Sequence, residues 1–476
     1  QPRPTQPNET ATDDGAAITS KQELAAKEPA VAKKSEDGQW AERMLKELSD
    51  PPSLKSDAEE VFPQKASEPN PSTVERQQPP VEVRSSSAST KQNANKVFRP
   101  DQETREPVGD TQAAASGKAG DLLPELPAPE PPLLDYTGMP TRGVAPNRTA
   151  INMRRGMERT LSYFYNRPEA ANGRSNWGMM HAMMVYGADT QITAGRQRHS
   201  AVAWIAGNNN CRGQRLLTHD ASGIRAKTGV GLQGHQAQFL AVLGMCEIPS
   251  DYPLYAGQVK YSIDDLIRSE QLACEAGAEL TFTLIGLSHY LDTDSSWLAS
   301  DGSRWDFERL IEEELKQPIV GAACGGTHRL MGYAHALRKR RAEGKPITGQ
   351  WKRAEVYTND FINYAYSLQN RDGSMSTDWF EGRAEKRDID RKIQTTGHIV
   401  EWLLTVTPDD QLQNRRLQAA ISFLTRTLGS ELDRDWSIGP KGHALRSLSM
   451  YHQRVFRAGT PWVPAAVARA IGTRRR

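Results

Sequence analysis

The chain has 476 residues, a formal net charge of +2 and a mean hydropathy of -0.65. Its longest apolar stretch, around Phe239 to Met245, is interrupted by a glycine and far short of the about 20 residues a membrane helix needs, so a membrane span is excluded. The small net charge hides a division: residues 1–130 carry 16 Lys+Arg against 23 Asp+Glu, and the remainder 44 against 35. A modestly basic body favours anionic ligands, but with no basic helix, finger or aromatic platform motif, nucleic acid is not expected as a partner.

Residues 1–130 hold 16 of the 29 prolines, one of the ten tryptophans, no histidine and no cysteine. Such a segment cannot build a core and is expected to be a disordered, Pro-rich arm that tethers or docks to a partner protein. Within it Trp40, Met44 and Leu45 stand at helical spacing before Asp50-Pro51-Pro52, which predicts a short helix over 39–49. The polar start at Gln1 suits a secretory signal already removed, so a secreted or periplasmic location is expected. The four cysteines, at 211, 246, 274 and 324, show neither disulfide-framework nor zinc-ribbon spacing.

Residues 131–476 are read as one all-α domain. From about residue 150 the pattern becomes pairs of helices. One member of each pair is amphipathic, expected at 152–165, 195–206, 259–274, 305–315, 351–369 and 411–428. The other is strongly apolar and opens on a polar residue: His181, His235, Glu279, His328, His398 and His443. These openings recur at intervals of 44 to 70 residues, enough for two helices and two loops, which describes a repeated helical hairpin. Helices apolar nearly all round must be buried, so an inner ring of six inside an outer ring of six is expected, an α/α toroid. No segment shows sustained period-2 alternation, and no sheet is expected.

If every hairpin runs outer helix, connection, inner helix, all six inner helices begin at one end, and their N-terminal N–H groups and dipoles converge there. That end becomes an anion-attracting mouth lined by histidines kept neutral by the positive helix ends. Two long connections, 207–233 and 371–396, belong to the same end, and the second packs six acidic and six basic residues with Trp379 and Phe380. Both exceed ordinary loop length, and the second is read as a lid or a self-paired charged loop. His335 and His289 are assigned to the core or the far end, and His199, His219 and His452 to no constellation.

The six-hairpin plan and the segment YAYSLQNRDGSMSTDWF (364–380), with Gln369, Gly373 and a displaced Trp379, resemble the terpenoid cyclase and protein prenyltransferase toroid superfamily. Such a resemblance implies a fold and leaves the reaction open. Cyclase chemistry in that superfamily implies a protonated aspartate in an acidic cluster, for which LDTDSS offers Asp292 and Asp294. Prenyltransferase chemistry implies zinc on Asp, Cys and His; Cys324 and His328 could supply two ligands, with no clear third, and the glycines at 325 and 326 argue that Cys324 is not helical. The thioester signature of the superfamily's binding domains is absent, since Cys324 precedes Gly-Gly-Thr.

The residues themselves suggest an enzyme of lyase or hydrolase type on an anionic or carbohydrate-like substrate, with no cofactor required. Proton transfer would fall to His235, His328, His398 or His443, with Glu279, Asp388 or Asp390 as carboxylates. Substrate binding would fall to His181, Trp177, Asp378, Trp379, Arg383, Arg387 and Arg391. Two alternatives stand beside this reading: a non-catalytic binding toroid, favoured if Met179, Met180 and Trp402 fill the centre, and a cyclase- or prenyltransferase-like enzyme.

Overall fold

The computed structural model describes residues 144–456 and Trp462; the helix expected over 39–49 lies outside them. Among the described residues the chain is mostly helical, with twelve α-helices and four small sheets. The odd-numbered helices are α1 (Arg148–Tyr165), α3 (Ala201–Ala206), α5 (Ile263–Leu272), α7 (Phe307–Leu315), α9 (Gly349–Ser367) and α11 (Arg415–Ser430). The even-numbered ones are α2 (Asn176–Tyr186), α4 (Gln238–Met245), α6 (Thr281–Tyr290), α8 (Thr327–Ala342), α10 (Ile389–Val406) and α12 (Ile438–Phe456).

The two sets bury themselves differently, as their sequences require. α1 buries one stripe, Ala150, Met153, Met157, Thr160 and Leu161, at spacings of three and four. In α2 only Trp177 and Ala182 escape full burial, and α6 is buried continuously from Thr281 to Ser288. Each even helix packs on the next, α2 on α4 through α10 on α12, and α12 returns to α2. The odd helices lie outside this cycle, with α7 against α9 and α11 against α1. A fully buried Leu or Phe contributes about 1.5–3 kcal/mol, so the densely apolar even helices hold the cycle closed.

The helix starts also differ. Asn147, Ser200, Ser262, Asp306 and Asn414 cap five of the six odd helices with their own side chains, as Ser175 and Asp388 cap α2 and α10. By contrast α4, α6 and α8 begin after Ala237, Leu280 and Gly326, which offer no side-chain acceptor. Acceptors from elsewhere serve two of them: Phe239 donates its N–H to Gln233 Oε1 at 3.1 Å, and Leu280 to Glu314 Oε1 at 2.7 Å.

The expectation of no sheet is corrected. Antiparallel hairpins β2–β3 (Gln191–Ala194, Gln197–Ser200), β4–β5 (Leu217–Asp220, Gly223–Ala226), β6–β7 (Pro253–Ala256, Val259–Ser262) and β8–β9 (Ser296–Leu298, Arg304–Asp306) decorate the connections, and β1 (Glu169–Ala170) pairs parallel with β2. The starts expected for α3 and α5, at 195 and 259, are therefore strand and turn. Gly195 and Gly257 take positive φ in the two-residue loops, as tight hairpin turns need, and strands of three or four residues are too short to register as alternation. Among the described residues no helix is long and apolar enough to cross a membrane.

Candidate functional site

The polar openings meet, five as imidazoles and Glu279 through its bond to His235. A cavity of about 420 Å³ is lined by Trp177 and His181 of α2, His235 and Gln238 at α4, and Cys324 and His328 at α8. Its other walls are Lys386, Asp388, Asp390, Arg391, Gln394 and His398 around α10, and Ser437, Gly439 and Pro440 at α12. His443 packs directly behind: its ring centroid lies 5.2 Å from that of His181, 5.6 Å from His328 and 3.6 Å from His398. His235 is 5.6 Å from His328, so the five imidazoles form one connected cluster. Met179, Met180 and Trp402 are buried and none is a wall of this cavity, so they do not fill it.

Four of the five rings have Nδ1 committed. His181 and His398 donate from it to the carbonyls of Trp177 (2.8 Å) and Gln394 (2.7 Å), one turn earlier in their own helices. His235 Nδ1 lies 2.9 Å from Glu279 Oε2, and His443 Nδ1 2.5 Å from Glu401 Oε2. With Nδ1 carrying the proton, the free lone pair of each ring is on Nε2. Burial pushes His181 and His443 down to about 3, helped by His443 and by Arg446 respectively. Burial and neighbouring imidazoles likewise hold His328 and His398 well below the usual histidine value. These rings are therefore neutral at pH 7.

The two glutamates behind the rings sit in different surroundings. Burial would raise Glu279, but its bond to His235 and the nearby Arg329 outweigh burial and keep it ionised. Burial raises Glu401 to about 7 against the pull of Arg446, whose Nε is 2.8 Å from Oε1. Glu401, a carboxylate inside the apolar run of α10, was not singled out by the sequence reading; its signal was a charge three residues after His398 on a helix otherwise buried.

Cys324, His328 and His398 are all buried and offer three ligand atoms within 4.8 Å of one another, a group that could hold a metal ion. The third ligand missing from the sequence is His398. Cys324 is not part of the regular helix, as its glycine neighbours indicated: it takes φ 50, ψ 36 ahead of α8. A non-glycine residue in this left-handed region costs about 1 kcal/mol or more, and here the strain places the thiol at the cavity wall beside His328.

Comparison of the chain with family models, curated proteins and solved structures gives no match.

The remaining expected residues divide. Arg391 reaches the cavity, fixed by its bonds to Thr377 O (2.7 Å) and Gln394 Oε1 (2.9 Å) and stacked over Trp379. Asp388 lines it while capping α10, and Asp390 lines it while paired with Arg434 at 2.7 Å. Trp379 is a buried support whose ring edge meets His398 at 5.4 Å, so it does not bind substrate from the wall. Asp378 is paired with Lys386, Arg383 donates to Ser367 O, and Arg387 is exposed; none of the three lines the cavity. The connection expected over 371–396 ends at Asp388, because Ile389–Thr396 already form the first two turns of α10. With Trp379 and Phe380 buried, that connection is pinned to the body by its aromatics. His398 consequently sits in mid-helix, away from the positive helix end expected beside it.

Asp292 and Asp294, the aspartates cyclase chemistry would use, are exposed on the connection after α6. Lys345 holds Asp292, and Arg340 with Lys345 holds Asp294, below the usual carboxylate range, so neither is a protonated acid.

Proposed function

We propose that the vestibule is the active centre of an enzyme of lyase or hydrolase type acting on an anionic or carbohydrate-like substrate outside the cytoplasm. In this reading the closed cycle of even helices inside the odd ones is an α/α toroid of the terpenoid cyclase and prenyltransferase type. The observation that carries it is the cluster of five imidazoles, four of them lining a cavity of about 420 Å³ and two of the five backed by glutamates. A cavity of that size suits a ligand of a few rings, and cavities lined by groups of perturbed pKa are where chemistry concentrates.

The roles follow from position. His235, oriented by Glu279, is the proton acceptor, since it is at the wall and its Nε2 is the free nitrogen. Lys386 and Arg391 at the wall neutralise the substrate's negative group. Zinc is the ion proposed for Cys324, His328 and His398: one thiolate and two imidazoles match its preference, and a fourth position remains for water or substrate. When bound, it would polarise a substrate oxygen.

The test is turnover on a panel of uronate polysaccharides and prenyl diphosphates by the wild type and the His235→Ala/His398→Ala double variant. Activity on a uronate polymer, lost at least a hundredfold in the double variant, is expected. Equally low turnover in both proteins on every substrate removes the reading.

A further inference from the structure

The three-ligand cluster does not use all the lone pairs turned toward the vestibule. His181 and His443 also have Nδ1 committed, to Trp177 O and Glu401, and so present Nε2 as an acceptor. On His443 that nitrogen is buried without a hydrogen-bond partner. Its ring lies nearly face to face with His398, at 3.6 Å and 31°. Both rings are neutral with the proton held on the far nitrogen. An orphaned buried acceptor of this kind carries a cost that a cation beside it would remove.

Geometry decides how many cations that requires. Two imidazoles sharing one tetrahedral ion, through bonds of about 2.0–2.1 Å, hold their ring centroids about 5 Å apart. The pair His398 and His443 is too close for this, whereas His181 and His443, at 5.2 Å and edge to face, match it. His328 and His398, at 5.5 Å, match it equally. His328 also lies 5.6 Å from His443, but its ligand atom already converges with those of Cys324 and His398, which leaves His443, the stacked neighbour of His398, to pair with His181.

We infer that the vestibule binds a second divalent cation on His181 and His443, beside the one on Cys324, His328 and His398. The inference rests on the zinc reading above and extends it to a two-metal centre. Stacked rings displace their ions by about a ring spacing, close to the roughly 3.5–4 Å separation at which two metals clamp one anionic group between them. Glu401 orients His443 through Nδ1 and is itself braced by Arg446, while His181 is the member of the pair that stands at the cavity wall. The substrate class this favours is one that presents two oxygens of a single anionic group, a phosphate ester or a carboxylate.

The full chain, stripped by chelator and desalted, would be titrated with Zn(II) and separately with Co(II), bound metal being counted by elemental analysis. Two equivalents per chain are expected in the wild type. His181→Ala/His443→Ala should retain one, with its near-ultraviolet thiolate-to-cobalt absorption intact, and Cys324→Ala should lose that absorption. One equivalent in the wild type, or two in the double variant, overturns the second position and leaves the first standing; none in the wild type overturns both. Should the double variant fail to fold by circular dichroism, His181→Gln and His443→Gln are measured singly, each expected to fall to one equivalent and each refuting the inference if it stays at two.

Discussion

Glu314 is the carboxylate on which the positions of α6 and of the cavity-lining α8 depend. It lies in α7 with a fully buried side chain. Oε1 accepts the N–H of Leu280 at 2.7 Å, and Oε2 accepts from Thr281 Oγ1 at 2.5 Å and Arg329 Nε at 2.9 Å. It thus caps α6, which begins two residues after Glu279, and neutralises Arg329 of α8, the residue after His328. Arg329 is 7% exposed, and although burial opposes its charge, Glu314 keeps it protonated. Glu314→Ala leaves that guanidinium buried with only Pro318 O and Gln317 Oε1 as acceptors. Removing one partner of a buried pair costs about 3–5 kcal/mol, a large part of the about 5–15 kcal/mol by which a domain is stable. Urea unfolding should show that loss for Glu314→Ala, and Arg329→Met combined with Glu314→Leu should recover at least about 2 kcal/mol of the summed single effects. A loss below about 1 kcal/mol, or simple additivity in the double variant, would refute the argument that this pair organises α6 and α8.

Three further outcomes can be checked independently. Gly397→Ala would put a Cβ 2.8 Å from Ala444 N, forcing α10 and α12 apart; about 1–3 kcal/mol of lost stability by chemical denaturation is expected, and an unchanged midpoint would show that this approach is not tight. His335 is half-buried with its Nε2 enclosed, and is pushed down to about 3, first by desolvation and then by Arg446, Arg338 and His289, so the folded chain keeps it neutral while the unfolded chain protonates near 6.5. Its contribution is intact above pH 6.5 and is lost as pH falls toward 3, amounting to about 2 kcal/mol between pH 6.5 and 5; His335→Leu should flatten that part of the stability profile, and an unaltered acid slope would count against it. Asp388→Ala removes the acceptor for Asp390 N and Arg391 N and should cost about 1 kcal/mol in thermal unfolding; a turnover loss with no loss of stability would instead assign Asp388 to the chemistry.

The helical pairing was legible because the apolar helices are apolar on every side and recur with a polar residue at or near the start. His181, His235, His328 and His443 could be placed near one another from that repeat alone. His398 was misplaced along its helix because Asp390, Arg391 and Lys392 make the first turns of α10 read as loop, although Ile389 and Ile393 keep helical spacing and Asp388 caps them. The hairpins ahead of α3, α5 and α7 escaped because strands of three or four residues leave no periodic signal. Glu401, Arg446 and the joining of His398 to Cys324 and His328 were hidden for another reason: each matters through a partner about 40 to 75 residues away, and only packing shows which turn of one helix faces which turn of the next.

The pairing of α12 with α2 has a consequence for how the protein is made. His181 leaves the ribosome some 260 residues before His443, yet the two rings end 5.2 Å apart. No chain that stops before α12 contains the chamber, because Ser437, Gly439 and Pro440 are among its walls. Trp462 then closes over the seam, its ring 5.2 Å from that of Tyr186. A partly synthesised chain displays isolated histidines and cannot assemble the finished pocket, so whatever the chamber holds is admitted only once the whole circle has been drawn.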